Sequence, residues 1–180
     1  MTYIAVFLSS LFMVGSVFAA TVPTGAITTL TTAMNLRMLD MRDVAGYKSY
    51  NHTPVEDLAR EQSVLLITQR EAESEGLDPE SVKPFIQAQM DVAKAIQYRY
   101  FAQWLSLPAP VGKQRSLDEV RASISSQDRK ILNAISQRLL AGSFSSEDYS
   151  EIFLLLQAPH LTDAEKTHLI KSLSLIRRVN

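Results

Sequence analysis

Signals for the start of a helix recur along this 180-residue chain, and they constrain its fold more than any other feature. Ser116, Ser145 and Thr162 are each followed three residues later by an acidic residue. Such a pair forms a capping box, in which each side chain bonds the backbone N–H of the other residue. Asp78 followed by Pro79 is a further start, because aspartate caps a helix and proline suits its first position. These signals predict an all-α protein.

Apolar residues at helical spacing fill the stretches between these signals. The pattern predicts helices over residues 25–49, from about 54–58 to Gly76, over 79–106, over 117–141, and after Ser145 and Thr162. The start of the second helix is open, because Thr53 with Glu56 is one candidate cap and Asp57 is another. Residues 107–115 hold two prolines and a glycine and are predicted to be a linker. With no strand signal and no internal repeat, we expect a bundle of about six helices.

The first 19 residues carry no charge and are mostly apolar. They end at Ala19 with small residues at the positions that a signal peptidase reads. We predict that residues 1–19 are a secretory signal peptide and that residues 20–180 form a single domain, which is periplasmic or secreted. Since no Lys or Arg precedes the apolar run, an uncleaved N-terminal anchor is the alternative. After cleavage we expect no stable association with a membrane.

Composition argues against several classes of function. The chain has 18 Lys and Arg against 19 Asp and Glu, so it has no strong field to attract nucleic acid. It has no cysteine, which excludes disulfides, thiol catalysis and zinc–thiolate sites. It lacks the glycine patterns that bind nucleotide phosphates, and its three histidines are scattered without a ligand pattern. We therefore expect neither a nucleic-acid partner nor a metal site.

Residues 37–61 place long basic side chains among apolar and small residues. Arg37 and Lys48 are eleven residues apart, close to a whole number of helical turns, so both point the same way about 16 Å apart. Arg60 follows in the same stretch. Cations on a partly apolar face need a partner, because a buried charge without one is very costly. Taken alone, these cations are interpreted as reaching water or as pairing with nearby carboxylates, namely Asp40, Asp43 and Asp57.

Two later helices add polar side chains. Gln89, Ala93 and Gln97 follow one another at intervals of four residues and share a helix face. A buried amide there would bond either a neighbouring helix or a ligand, and the sequence leaves both open. Arg121 lies in the first turns of its predicted helix, where a cation interacts unfavourably with the helix dipole. A purely superficial position is therefore less expected for Arg121.

In this order, the elements resemble the all-helical chorismate mutases, in particular their exported, monofunctional subclass. The resemblance covers about residues 36–132 and rests on R-x10-K at Arg37 and Lys48, D-x-x-R-E from Asp57, the segment GLDPESVKPFIQAQMDVAKAIQ, a tryptophan, a proline-rich linker and VRASI. It implies a helical bundle of that type and an isomerase that rearranges chorismate to prephenate without cofactor, metal or covalent intermediate. It also implies a homodimer, with apolar helix faces as the contact.

The chemistry of this Claisen rearrangement explains the need for such residues. Chorismate is a dianion whose enolpyruvyl side chain must fold over its ring, and negative charge develops on its ether oxygen in the transition state. A catalyst therefore needs cations that hold two carboxylates and donors directed at the ether oxygen. Even a ~10⁶-fold acceleration requires roughly 8 kcal/mol of preferential transition-state stabilisation.

The resemblance implies catalytic roles for five residues of this chain. Arg37 and Arg121 correspond to arginines that bind the substrate carboxylates, and Arg60 corresponds to an arginine that faces the substrate. Lys48 corresponds to a lysine that contacts a carboxylate and the ether oxygen. Gln97 stands at the position, Gln or Glu in relatives, that faces the ether oxygen. Glutamine donates at any pH, so we expect little change in activity between about pH 6 and 8.

Three further residues correspond to substrate-binding positions. Asp57 either orients Arg60 or meets the ring hydroxyl, and Glu61 contacts that hydroxyl in some relatives. Ala93 stands where relatives often have Ser or Thr on a carboxylate, so we expect that contact to be missing or to be made by backbone or water. The alternative function is a non-enzymatic exported bundle, either a small-ligand carrier or an adaptor, which would explain the caps but not the spacing of the cations.

Overall fold

The computed structural model of the protein describes residues 25–107 and 115–179. In this part of the chain the helices are α1 (Ala26–Leu39), α2 (Met41–Tyr50), α3 (Leu58–Ser74), α4 (Pro79–Ser106), α5 (Leu117–Leu140), α6 (Ser146–Leu155) and α7 (Asp163–Leu173). Strand pairing in the described residues is limited to one bridge between Leu77 and Arg178. The prediction of an all-α bundle is confirmed. The predicted signal peptide, residues 1–19, lies outside the described residues, as does most of the predicted linker.

The predicted first helix is divided at Asp40, where α1 ends and α2 begins. Asp40 keeps helical dihedral angles, with φ −59° and ψ −20°, and its N–H bonds the carbonyl of Leu36 at 3.1 Å. Aspartate is a weak helix former because its carboxylate competes for hydrogen-bond donors. Here that carboxylate is drawn to Arg115, whose Nη1 lies 2.6 Å from Asp40 Oδ1. The prediction was therefore correct in extent and wrong in continuity.

The structure decides between the two candidate starts of α3 in favour of Asp57. The Asp57 carboxylate accepts the backbone N–H of Arg60 at 3.0 Å, as an N-cap does. Thr53 and Glu56 lie before the helix and form no capping box. The remaining predicted caps are confirmed, namely Asp78 with Pro79, Ser116 with Glu119, Ser145 with Asp148, and Thr162 with Glu165.

The long helix α4, 28 residues, is the centre of the bundle and packs against α2, α3 and α7, while α1 packs along α5. Phe85 and Ile96 of α4, Leu30 of α1 and Ile135 of α5 are fully buried. Each such side chain contributes about 1.5–3 kcal/mol when it leaves water. None of the described helices is both long and apolar enough to cross a bilayer. The packing leaves a space between the first five helices, into which their polar side chains project.

The C-terminal segment packs against the end of the bundle where α4 begins. The backbone N–H of Asp78 donates to the carbonyl of Arg177 at 2.8 Å, and that of Val179 donates to Gly76 at 3.1 Å. Gly76 has φ +73°, and a Cβ there would lie 2.6 Å from Nη2 of Arg178. The left-handed backbone favours glycine at this position, and a side chain here would also have to displace the Arg178 guanidinium. The tail thereby fixes the turn that connects α3 to α4.

Candidate functional site

A cavity open to solvent lies among α1, α2, α3, α4 and α5, and its empty space together with the solvent at its mouth is about 740 Å³. Its lining includes all eight residues that the sequence analysis singled out: Arg37, Lys48, Asp57, Arg60, Glu61, Ala93, Gln97 and Arg121. One further charged residue, Lys94, also lines it. The rest of the wall is apolar and consists of Met41, Val44, Val55, Val64, Met90, Leu117 and Ile124. The described fold therefore brings together polar groups from five separate helices.

Arg37 lies at the buried end of the cavity and is only 4% exposed. Its Nε donates to Oδ1 of Asp128 at 2.7 Å, and its Nη1 donates to the carbonyl of Gln89 at 3.3 Å. The interpretation that Arg37 pairs with Asp40 or Asp43 was wrong, because both of these carboxylates pair with Arg115. A guanidinium has five N–H donors. Two of them hold Arg37 in place, which leaves others available to a ligand.

Asp128 is a residue that the sequence analysis missed. It lies on α5, is 8% exposed, and forms the buried ion pair with Arg37 from behind the cavity wall. Removing one partner of such a pair costs about 3–5 kcal/mol, because the other charge is left buried. A signal was present in the sequence: Asp128 shares a helix face with Ile124 and Ile131, where a carboxylate requires a cation.

Lys48 is half-buried, and its Nζ donates to the carbonyl of Val55 at 2.5 Å. This bond ties the end of α2 to the segment before α3. Burial lowers the pKa of Lys48, the charges of Asp57, Glu56 and Glu61 oppose that effect, and the charge of Arg121 adds to it. Lys48 thus loses its proton more readily than a lysine in water.

Arg60 and Arg121 face the cavity from α3 and α5 and are partly exposed. Within residues 25–107 and 115–179, neither side chain forms an ion pair. Asp57 bonds the backbone N–H of Arg60 rather than its guanidinium. Both guanidinium groups therefore have donors that no carboxylate of the described chain occupies.

Gln97 is buried beside Ala93 in the wall formed by α4, with 4% and 6% exposure. Its Nε2 donates to the carbonyl of Ala93 at 3.1 Å and approaches Sδ of Met41 at 3.6 Å. Its Oε1 is buried without a hydrogen-bond partner among the described residues. A thioether is only a weak acceptor. The amide N–H near Met41 can therefore exchange this weak acceptor for a better one, such as an oxygen of a ligand, at low cost.

Glu61 and Lys94 form an ion pair across the cavity wall, from α3 to α4. Lys94 Nζ lies 2.9 Å from Oε2 of Glu61 and 3.2 Å from Oδ1 of Asp91. The hydrogen bond to Glu61 raises the pKa of Lys94, so the lysine is firmly cationic. The sequence analysis missed Lys94, although its position three residues before Gln97 puts it on the same helix face.

The charges of the cavity wall favour a small anion. Five basic side chains and two carboxylates line it, which leaves three net positive charges at neutral pH. The apolar residues between them exclude water and strengthen each electrostatic contact. No group of three or more histidine and acidic side chains in the described parts of the chain is arranged to hold a metal ion. The arrangement suits a dianion with an apolar ring, held by several arginine and lysine donors.

Known proteins are similar to this chain in both sequence and fold. The model of the family "Chorismate mutase type II" matches residues 28–98, which include every predicted site residue except Arg121. A monofunctional chorismate mutase of Enterobacter agglomerans is 47% identical over 176 residues, covering 98% of this chain and 97% of that protein. A secreted chorismate mutase of Yersinia pestis is 49% identical over 106 residues, 59% of this chain and 57% of that protein.

Solved structures extend this likeness to the fold. The crystal structure of secreted chorismate mutase from Yersinia pestis superposes with a TM-score of 0.78 and 36% identity, covering 84% of this chain and 98% of that one. Chorismate mutase from Burkholderia thailandensis superposes with a TM-score of 0.66 over 83% of this chain and 98% of that one. Its identity is 22%, so it supports the fold alone.

Proposed function

The chain belongs to the chorismate mutase type II family, and we propose that the cavity among α1–α5 is the site where it converts chorismate to prephenate. As a chorismate mutase the protein is an isomerase: the ether C–O bond breaks and a C–C bond forms within one molecule, with no group lost or gained. The observation that carries the assignment of the site is the convergence of all eight predicted residues on one basic, largely apolar cavity.

Carboxylate binding is the first task of this cavity. We assign it to Arg37 at the buried end and to Arg121 on α5, with Arg60 facing the substrate from α3. Paired N–H donors of an arginine match the two oxygens of a carboxylate in a fixed geometry. Arginines from three helices can thus hold the two carboxylates in the folded pose, which removes much of the entropic cost of reaching the transition state.

Stabilisation of the developing charge is the second task. We assign it to Lys48 and Gln97, which correspond to the residues that face the ether oxygen. The Lys48 ammonium supplies a positive charge, and the Gln97 amide supplies a donor that now only approaches the sulfur of Met41. Donors already directed at the site where charge develops stabilise the transition state more than the ground state, and so raise kcat.

The three remaining predicted residues have smaller roles. Glu61 is assigned to the ring hydroxyl of the substrate. Asp57 caps α3 and thereby fixes the backbone from which Arg60 projects. Ala93 offers no hydroxyl to a carboxylate, so the arginines and Lys48 carry the binding of both carboxylates.

Turnover tests this assignment, since chorismate absorbance falls as the substrate rearranges. We expect the purified mature protein to turn over chorismate, and Lys48→Ala to lower kcat by about 10²–10³-fold, as loss of one transition-state donor does. Arg42→Ala is the matched control, because Arg42 lies on the same helix, is exposed and is outside the cavity. Equal activity of the two variants would refute the assigned site, and absence of turnover by the wild type would favour a ligand carrier.

We also propose that the enzyme is exported, cleaved after Ala19 and active as a homodimer without stable membrane association. The uncharged apolar N-terminal run supports export, and the related Yersinia protein is named as secreted. Large apolar side chains that lie exposed on α1 and α6 support self-association, among them Leu36, Leu39 and Leu154. Intact-mass measurement of the exported protein should give a chain that starts at Ala20, and light scattering should give twice that mass.

A further inference from the structure

Lys94 has a place in the cavity that the roles assigned above do not use. It projects from the middle of α4, next to Ala93 and three residues before Gln97. Its ammonium is shared by two carboxylates, at 2.9 Å from Glu61 and 3.2 Å from Asp91. A lysine ammonium has three N–H donors. Two of them are therefore directed at carboxylates of the protein itself.

The two oxygens of Glu61 differ in their surroundings. Oε2 accepts from Lys94, whereas Oε1 is buried and has no hydrogen-bond partner among the described residues. A buried acceptor without a partner is destabilising, and a donor on a ligand would relieve that cost. Of the side chains that line the cavity in residues 25–107 and 115–179, only Glu61 and Gln97 hold such an oxygen. Because hydrogen bonds to a charged acceptor are the stronger ones, the carboxylate of Glu61 suits a substrate hydroxyl better than the amide oxygen of Gln97 does.

Lys94 is also suited to hold this carboxylate still. Glu61 lies in the first turn of α3, and its side chain alone would have several rotamers of similar energy. The Lys94 bond selects one of them and links α3 to α4. Asp91, one turn earlier on α4, holds the ammonium from the other side. The pair is only partly exposed, with 24% and 19% of the Lys94 and Glu61 side chains accessible, so solvent competes weakly.

We propose that Lys94 is a positioning residue for hydroxyl recognition: it fixes Glu61 through Oε2 so that Oε1 accepts a hydrogen bond from the ring hydroxyl of the substrate. This inference rests on the proposed function, whose substrate carries that hydroxyl. A direct contact between Lys94 and a substrate carboxylate is the competing arrangement. It is disfavoured because the ammonium is already bonded to two protein carboxylates, whereas Arg60 and Arg121 have donors that no carboxylate of the described chain occupies.

Steady-state kinetics of Lys94→Met test the proposal. The hydroxyl contact exists in both ground state and transition state, so its loss should raise KM about tenfold and change kcat less than about threefold. Lys94→Arg keeps a donor to Glu61 and should restore KM to within about threefold of wild type. Lys83→Met is the matched control, because Lys83 lies on α4 in a surface pair with Glu80. It should leave both constants unchanged.

The Glu61→Gln background separates positioning from direct contact. If Lys94 acts through Glu61, Lys94→Met should cause almost no further loss once Glu61 is replaced. A full tenfold loss in both backgrounds would overturn the proposal, as would a KM for Lys94→Met within about twofold of wild type. Failure of Lys94→Arg to restore KM would also count against it.

Binding of prephenate, which keeps the ring hydroxyl, supplies a readout that does not require turnover. Calorimetry should show about tenfold weaker binding to Lys94→Met than to wild type, and circular dichroism should show that the variant is folded at the temperature of the assay. If the wild type fails to turn over chorismate but binds prephenate with this dependence, the proposed function fails and the role of Lys94 stands. If turnover is normal and Lys94→Met binds prephenate as wild type does, only the role of Lys94 is overturned.

Discussion

Two regions of the cavity differ in how their cations are held before a substrate binds. In the anchored region, Arg37 is bonded to Asp128 and to the carbonyl of Gln89, and Lys48 is bonded to the carbonyl of Val55. In the open region, Arg60 and Arg121 are partly exposed and form no ion pair within the described parts of the chain. The anchored groups need no reorganisation during the reaction, whereas the open groups lose side-chain freedom on binding.

This difference predicts two kinds of variant. Changes in the anchored region should lower kcat and, where a buried pair is broken, stability as well. Changes in the open region should mainly raise KM and leave the free energy of unfolding almost unchanged. A variant of the open region that unfolds the protein, or one of the anchored region that alters KM alone, would contradict the division.

The largest effect is expected for Arg37→Ala. It should abolish measurable turnover and lower the free energy of unfolding by about 3–5 kcal/mol, because Asp128 is left as an unpaired buried charge. Circular dichroism in denaturant gives the stability, and the chorismate assay gives the activity. Arg37→Ala loses activity and stability together, so the two effects must be separated. The double variant Arg37→Met with Asp128→Leu is the control for this. The double variant should regain most of the wild-type free energy of unfolding but remain inactive. If it regained activity as well, a contact between Arg37 and the substrate would be excluded.

The second prediction concerns Lys48 and pH. Burial lowers the pKa of Lys48, and turnover requires its ammonium, so kcat should fall as pH rises, at a lower pH than for a lysine in water. Between about pH 6 and 8 the profile should be flat, since the Gln97 amide does not titrate. The activity that remains in Lys48→Arg should not fall at alkaline pH, because arginine stays charged.

Unfolding cannot explain that alkaline fall through Lys48. Because the native pKa of Lys48 is lowered, the unfolded chain binds more protons at alkaline pH, and this group makes the protein more stable as pH rises. Circular dichroism across the same range should therefore show no unfolding where kcat falls. An unchanged fall in Lys48→Arg would assign it to another group.

Arg121→Ala is expected to have an intermediate effect and to represent the open region. Loss of one charged hydrogen-bonding group costs about 1.5–3 kcal/mol of binding, so KM should rise roughly 10–100-fold. The free energy of unfolding should change by less than about 0.5 kcal/mol, because Arg121 has no ion-pair partner in the described residues. Arg129→Ala, an exposed arginine on the same helix with only a 3.7 Å contact to Glu71, is the matched control.

The sequence predicted the open region better than the anchored one. Arg121 could be placed in the first turns of α5 because the capping signal at Ser116 is strong. The start of α3, which carries Arg60, was narrowed to two candidate caps, of which Asp57 is the one used. The site roles of both arginines came from the resemblance. The starts of α4, α5, α6 and α7 followed from cap signals of this kind, whereas the break between α1 and α2 at Asp40 did not. The success of the cap signals has a physical reason: free N–H groups at a helix start must be bonded nearby in sequence.

The anchored region depends on pairs that are distant in sequence. The partner of Arg37 is Asp128, 91 residues away, and no local rule selects it over Asp40 or Asp43, which are near Arg37 in the chain. Lys94 was missed for a similar reason, since its partner Glu61 lies 33 residues earlier on another helix. Such pairs are set by how helices pack, whereas a resemblance transfers only the residues of its own motif.

The smallest expected effect, and the finest test of the division, is Ala93→Ser. Ala93 is 6% exposed and lines the cavity from α4. The resemblance implies a hydroxyl-bearing residue at this position in relatives. A serine hydroxyl that bonds a substrate carboxylate would contribute about 0.5–1.5 kcal/mol, so KM should fall roughly 2–10-fold with kcat little changed. Ala93→Val is the size control, since it adds volume without a donor and should raise KM. If Ala93→Ser instead lowers kcat, its hydroxyl has displaced the Gln97 amide, whose Nε2 now bonds the Ala93 carbonyl at 3.1 Å. That result would assign Ala93 to the anchored region and show that the wall near Gln97 tolerates no added group.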